Sequence, residues 1–185
     1  MSDGRVATPV LFRNYLTPSY VTTTAREANA LRILAQILGG GSQSRFYQEL
    51  VLKQRLANDA TADLEGTQRL SGYLSVAATP TAGTSLEALE KSMDAIIADV
   101  AENGVLDDEL QMAKDKTEAA MIFALDQPSA FGSLMGKAAT FGLSPDATLH
   151  YIAAQKDVTA ADVKAAAAKF LQGDHMVTGT LLPQQ

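Results

Sequence analysis

Between Thr24 and Leu38 the apolar residues Ala28, Leu31, Leu34, Ile37 and Leu38 recur at three- and four-residue spacing, which lines them along one side of a helix. Gly39, Gly40 and Gly41 then break the pattern. They can supply the left-handed residue that closes a helix, and Ser42 or Ser44 can cap the free amides of a second one, whose apolar side is Phe46, Tyr47, Leu50 and Val51. Ahead of this pair, the β-branched and aromatic residues from Val10 to Tyr15, closed by Thr17-Pro18-Ser19, predict a strand over 8–16. Behind it, residues 57–65 alternate weakly and 73–79 follow a polar turn containing Gly66 and Arg69, which predicts a two-stranded hairpin.

The second half reads as mainly helical. Thr84-Ser85-Leu86-Glu87 has the form of a capping box, in which the Thr84 hydroxyl and the Glu87 carboxylate each satisfy a free amide. It opens a helix with Leu86, Leu89, Met93, Ile96, Ile97 and Val100 on one side, ended by Asn103-Gly104. Asp107 is the expected cap of a helix to Leu125, and shorter helices are expected from Ser129, from Ser144 with Pro145 in its first turn, and from Thr159, with Gly142 and Gly173 at two of their ends. Met176 to Leu182 predicts a closing strand. The order of elements is that of an α+β domain, an antiparallel sheet with helices packed on it. One domain is expected over 8–185, with 1–7 a disordered or added start.

Composition narrows the function. Fifteen basic against twenty-one acidic side chains leave a net charge of -6, so nothing here would neutralise a run of phosphates or draw the chain to an anionic membrane. The longest apolar run, Ala119 to Leu125, falls far short of the roughly 20 residues of a membrane span. Nucleic acid and membrane are therefore not expected partners. With no cysteine there is no disulfide framework, thiolate nucleophile or cysteine zinc site, and the compartment stays open, bacterial periplasm and cytoplasm both being compatible.

Each candidate site has a plainer reading. The "GGGSQSR" stretch could cradle an anion, but it lacks a Gly-Lys-Ser/Thr ending and follows a helix where a P-loop follows a strand, so a hinge between helices is the better reading. His150 and His175 have no carboxylate or second histidine at helical spacing, and no HxxEH or HxxxH occurs, so both read as ordinary surface or boundary residues. Asp59, Asp63 and Glu65 share one side of a strand, where they could gather around a hard cation; a solvated strand face is favoured because no turn folds them around an ion. Asp107-Asp108-Glu109 sits where negative charge favours a helix start in any case. Neither Ser42 nor Ser44 has an identifiable histidine partner, and no Gly-x-Ser-x-Gly elbow is present. From the residues alone there are no catalytic residues and no metal ligands.

Taken together, "ANALRILAQILGGGSQSRFYQELVLKQRLANDATADL" resembles the C-terminal domain of the insulinase, pitrilysin and mitochondrial processing peptidase family of zinc metallopeptidases (peptidase family M16). That family carries an "LLGGGxxSRLxxxLRExxGLAY"-like stretch; here Leu38, Gly39 to Gly41, Ser44, Arg45, Phe46, Glu49, Leu50, Leu56 and Ala57 occupy matching places. "FRNYLTPSY" resembles the opening strand of bacterial members, and "KDVTAADVKAAAAKFL" the helix before the last strand. The resemblance implies the LuxS/MPP-like metallohydrolase fold. It also implies a zinc-binding N-terminal domain elsewhere, bearing HxxEH, with this chain as the non-catalytic half that walls a peptide-enclosing chamber and forms the interface with that domain or a homologous partner subunit.

One departure stands out against that implication. Many members hold the substrate backbone with an arginine and a tyrosine seven residues apart, and the matching places here are Val51 and Asn58. The expectation is a chain that does not cleave peptides by itself and relies on a partner, or else a degenerate assembly subunit like the core proteins of the bc1 complex. An apolar face left open without its partner would favour a homodimer.

Overall fold

The computed structural model describes residues 2–3, 5 and 7–184. Its strands are β1 (Ser2–Asp3), β2 (Val10–Pro18), β3 (Ala57–Glu65), β4 (Ser71–Pro80) and β5 (Met176–Pro183). They form a single sheet in the order β1-β5-β2-β4-β3, in which β2 lies antiparallel to β4 and β5, β3 antiparallel to β4, and β1 parallel to β5. The α-helices are α1 (Ala25–Gly39), α2 (Leu86–Asn103), α3 (Asp107–Leu125), α4 (Pro128–Thr140), α5 (Pro145–Ala154) and α6 (Ala160–Phe170). The expected α+β architecture is the one observed. Residues 1–7 contribute Ser2–Asp3 to the sheet edge, beside Leu182 and Pro183, while Met1, Gly4 and Val6 lie outside the described residues. No described helix is long and apolar enough to cross a membrane.

Helices cover one face of the sheet. On β2 the buried phase is Leu11, Arg13, Tyr15 and Thr17, while Phe12, Asn14 and Leu16 take the other face. On β4 the buried phase is Gly72, Leu74, Val76, Ala78 and Pro80. Leu31, Leu34 and Leu38 of α1, Leu89 and Met93 of α2 and Val163 of α6 close over these residues in one core, into which Phe46 and Leu50 also insert. Large aliphatic side chains sealed from water in this way contribute roughly 1.5–3 kcal/mol each, the main term holding the layers together.

Several local starts differ from expectation for identifiable reasons. The second helix is not an α-helix over most of its length: Tyr47–Lys53 is π-helical, with the Gln54 amide donating to the Glu49 carbonyl at 2.8 Å. Ser85, not Thr84, caps α2 by accepting from the Ala88 amide at 3.1 Å, because the Thr84 hydroxyl is engaged with that of Thr81 at 2.7 Å. Asp107 is the first residue of α3 and not its cap; the Leu106 amide donates to Glu109 Oε2 at 2.9 Å in the return half of a capping box. Helix α4 begins one residue early, since Pro128 needs no amide partner in a first turn. The caps expected at Ser144 and Thr159 are present, the latter reciprocated by Asp162.

Candidate functional site

The segment from Gly39 to Glu65 is the part of the fold where glycine hinge, irregular helix and edge strand meet. Gly39 is required by close approach: a Cβ there would stand 1.9 Å from the Ala62 amide nitrogen and 2.4 Å from the Thr61 carbonyl carbon. The end of α1 thus lies directly on the backbone of β3. Gly41 turns the chain at φ 112°, a left-handed value that favours glycine. Ser44, buried, accepts from the Tyr47 amide at 3.4 Å. Lys116 donates to the Gly40 carbonyl, placing a cation at the negative end of α1. With the loop's groups engaged within the chain, the hinge reading of "GGGSQSR" describes its geometry.

Arg45 locks the hinge to the α2–α3 junction. Its Nε and Nη2 donate to the two Glu109 oxygens at 2.8 and 2.7 Å, its Nη1 to Asp99 at 2.7 Å, and its Nη2 also to the Gly104 carbonyl at 3.2 Å. Hydrogen bonding to Glu109 raises the guanidinium's already high pKa against the opposing effect of burial. Burial pushes the Glu109 carboxyl up, but Arg45 and the Leu106 amide outweigh it and hold the group below the usual carboxylate range.

Beyond the hinge, three irregularities follow between Tyr47 and Asp59: the π-helix, Arg55 at φ 56°, and a register shift between Ala57 and Asp59. Arg55 stands where the related stretch carries glycine, and it is the non-glycine residue with positive φ among those described. The two positions singled out by the resemblance bracket this passage. Val51 packs partly buried against the core and offers no polar group; Asn58 is exposed and its amide donates to the Pro80 carbonyl at 3.0 Å. Neither side chain can supply a guanidinium or a phenol.

The donors present do not fit a resident zinc ion. Among the described residues no three His, Cys, Asp or Glu side chains converge on one point. His150 on α5 and His175 in the turn before β5 are both exposed and belong to separate elements. Asp59 and Asp63 are exposed on β3, with Asp63 Oδ1 accepting from the Leu64 amide at 2.8 Å and Glu65 facing Lys137 at 3.5 Å.

Sequence reasoning missed a buried charge cluster. Arg13 is 1% exposed between sheet and α2, where it meets Glu90 and Asp94, donates from Nε to Thr178 at 2.9 Å and from Nη1 to the Tyr15 hydroxyl at 3.1 Å. Burial alone would lower its pKa; the bonds to Asp94 and Tyr15 more than reverse this. The available signal was the four-residue spacing of Glu90 and Asp94, which puts both carboxylates on one side of a helix.

Among the described residues no helix covers the sheet's second face. Phe12, Leu16, Tyr73 and Val177 stand on it, 49, 55, 41 and 75% exposed. Helices lie on one face of this sheet and large apolar side chains stand open on the other.

The sequence model described as the peptidase M16 inactive domain matches residues 3–117. The chain belongs to that family. Among solved structures, a protease from Helicobacter pylori superposes with a TM-score of 0.88 at 21% identity, covering 99% of this chain and 43% of that one. The inactive peptidase domain of a candidate zinc protease from Bordetella parapertussis gives 0.86 at 20% identity, over 96% of this chain and 92% of that one. The peptidase M16 inactive domain from Pseudomonas fluorescens gives 0.79 at 20% identity, over all of this chain and 42% of that one. These likenesses establish the fold. The chain spans less than half the length of the Helicobacter protein and nearly all of the Bordetella domain. No curated protein matches the sequence.

Proposed function

We propose that this M16 inactive domain is the non-catalytic half of a zinc-dependent peptidase, and that the open face of its sheet walls the chamber in which the peptide is held. The observation that carries the reading is the one-sided sheet: Phe12, Leu16, Tyr73 and Val177 remain accessible while the opposite face is sealed. An apolar face of that kind has a use when another domain or a substrate lies against it. Zinc and the water-activating residues would belong to a companion domain, either in the same polypeptide or in a homologous subunit. Val51 and Asn58 stand in for the family's substrate-holding pair, so that gripping the peptide backbone falls to the companion. A degenerate scaffold subunit is the competing reading, and the same experiment separates the two.

The test is to assay peptide hydrolysis by this chain alone and by the chain joined to whatever its coding region places upstream, each with and without a zinc chelator. The expected result is chelator-sensitive cleavage by the joined protein and none by the chain alone. Zinc-dependent cleavage by the chain alone would overturn the reading; an inactive joined protein lacking HxxEH would replace it with the scaffold.

A further inference from the structure

Helices α1, α3, α4 and α5 surround a cavity of about 60 Å³. Its apolar lining is Met121, Leu134, Ala138 and Ile152, and its polar lining includes Asn29 and Arg32 of α1 and Gln155 just past α5. Asn29, 2% exposed, donates from Nδ2 to the Tyr151 carbonyl at 2.7 Å, and Gln155, also buried, from Nε2 to the Lys114 carbonyl at 3.3 Å. The amide oxygens of both accept from no described residue. Among the described residues the side-chain atom both sealed from water and unpartnered is Thr17 Oγ1, so these two oxygens are open to the cavity that their residues line.

Arg32 supplies the opposite polarity. Its Nε donates to the Tyr20 hydroxyl at 2.7 Å, and its guanidinium lies 5.4 Å from the centre of the Tyr20 ring. Tyr20 stands edge-on to Tyr151 at 5.2 Å, and the Tyr151 hydroxyl donates to the Thr23 carbonyl at 3.0 Å. These contacts hold the guanidinium in place, while its two terminal nitrogens have no hydrogen-bond partner among the described residues.

We propose that this cavity binds a free α-amino acid with a short aliphatic side chain. A carboxylate answers the two idle guanidinium nitrogens, whose planar fork suits a two-oxygen acceptor. An ammonium answers the two amide oxygens, which accept and cannot donate. Asn29 and Arg32 lie three positions apart on α1, so their side chains are neighbours, as two charged groups on one carbon atom require. The volume matches about two waters at about 30 Å³ each, which limits the ligand's side chain to a few carbons among Met121, Leu134 and Ile152. A simple carboxylic acid would leave the amide oxygens unpaired, and a simple amine would leave the arginine so.

NMR titration of the intact chain, labelled at its Met, Leu and Ile methyl groups, with L-valine, isobutyrate and isobutylamine tests the site. L-Valine is expected to shift the Met121, Leu134 and Ile152 signals and to saturate in the low millimolar range, within the ceiling for so small a ligand. Isobutyrate, which lacks the ammonium, and isobutylamine, which lacks the carboxylate, should each bind at least about tenfold more weakly, the loss of a charge-assisted hydrogen bond. Arg32→Gln should weaken L-valine by a similar factor, and Ala138→Leu, which fills the cavity, should abolish its shifts. No saturable shift with L-valine would leave the cavity to water and overturn the proposal. Equal binding of the three compounds, shifts confined to the open face of the sheet, or an unchanged affinity in a folded Arg32→Gln variant would overturn it as well. The comparison of the three compounds uses the parent chain, so a variant that fails to fold does not remove the test.

Discussion

Arg45 and Glu109 meet through two parallel hydrogen bonds of 2.8 and 2.7 Å, joining the glycine hinge to the first turn of α3 across sixty-four positions of sequence. The geometry is the bidentate fork that suits a guanidinium and a carboxylate. Both side chains are largely withdrawn from water, at 15 and 22% exposure, so the pair is screened less than a surface bridge. Its carboxyl titrates below the ordinary glutamate value in the folded chain. The stability it contributes is therefore fully present above the unfolded-state pKa, about 4.3, and is lost as pH falls through the lower folded-state value. Glu109→Gln is expected to cost about 1–2 kcal/mol at pH 7, with the gap between variant and parent closing below about pH 4. Urea unfolding at a series of pH values checks it; a gap that persists at low pH would show that the charge is irrelevant.

The glycines of the hinge differ sharply from those of α4. A methyl group on Gly39 would collide with the Thr61–Ala62 backbone, which has no flexible side chain to yield, so Gly39→Ala is expected to cost at least about 3 kcal/mol or prevent folding. Gly136, in a helix interior with nothing near its would-be Cβ, behaves oppositely: Gly136→Ala should stabilise by about 0.5–1 kcal/mol. Thermal melts of the two variants should move in opposite directions, and a shared direction would contradict the packing described.

How much of this was legible in the sequence follows from what each residue answers to. Helices α1 and α2 follow apolar periodicity, since a single covered face rewards it, β2 follows its β-branched and aromatic content, β3 its weak alternation and α6 its cap at Thr159, and the positions of all five read through. The π-helix did not, because Phe46, Tyr47, Leu50 and Val51 fit helical spacing and nothing local distinguishes a five-residue from a four-residue hydrogen-bond step. The phase of β2 was equally hidden. Hydropathy favours burying Phe12 and Leu16, yet Arg13 goes inside because Glu90 and Asp94 of α2 receive it, and that contact spans more than seventy residues. Of the candidate site, the hinge was legible from its glycines; the open face was not, since it depends on strand register.

Arg55 bears a side chain where the backbone prefers none. At φ 56° an L-residue other than glycine pays about 1–2 kcal/mol, part of which glycine recovers while giving up some of it again as extra freedom in the unfolded chain. The strained conformation is held by Thr81, whose hydroxyl donates to the Arg55 carbonyl at 2.9 Å and whose amide donates to that of Leu56 at 2.9 Å. Arg55→Gly is expected to raise the melting midpoint, by about 0.5–1 kcal/mol in stability, and Arg55→Val to lower it. A midpoint depressed by glycine would mean that the arginine side chain supplies a contact worth more than the strain.

The Arg13 cluster makes the last prediction, because its two sides are unequally placed. The guanidinium is 1% exposed, while Glu90 and Asp94 are 36 and 50% exposed. Removing the arginine leaves carboxylates that can turn back to water, and a methionine of similar length can fill its channel beside Tyr15. Turning the carboxylates into amides leaves a buried cation among neutral acceptors, the two amide oxygens and the Thr178 and Tyr15 hydroxyls, with no counter-charge. Breaking a pair so that one charge stays buried costs about 3–5 kcal/mol, whereas replacing it with apolar volume is often close to neutral. Glu90→Gln/Asp94→Asn should therefore destabilise the fold more than Arg13→Met does, although it changes neither shape nor size. Chemical denaturation of the two variants at neutral pH tests the order. If Arg13→Met proved the more damaging, the arginine would be acting through its bonds to Tyr15 and to Thr178, the latter tying β2 to β5, and not through its charge.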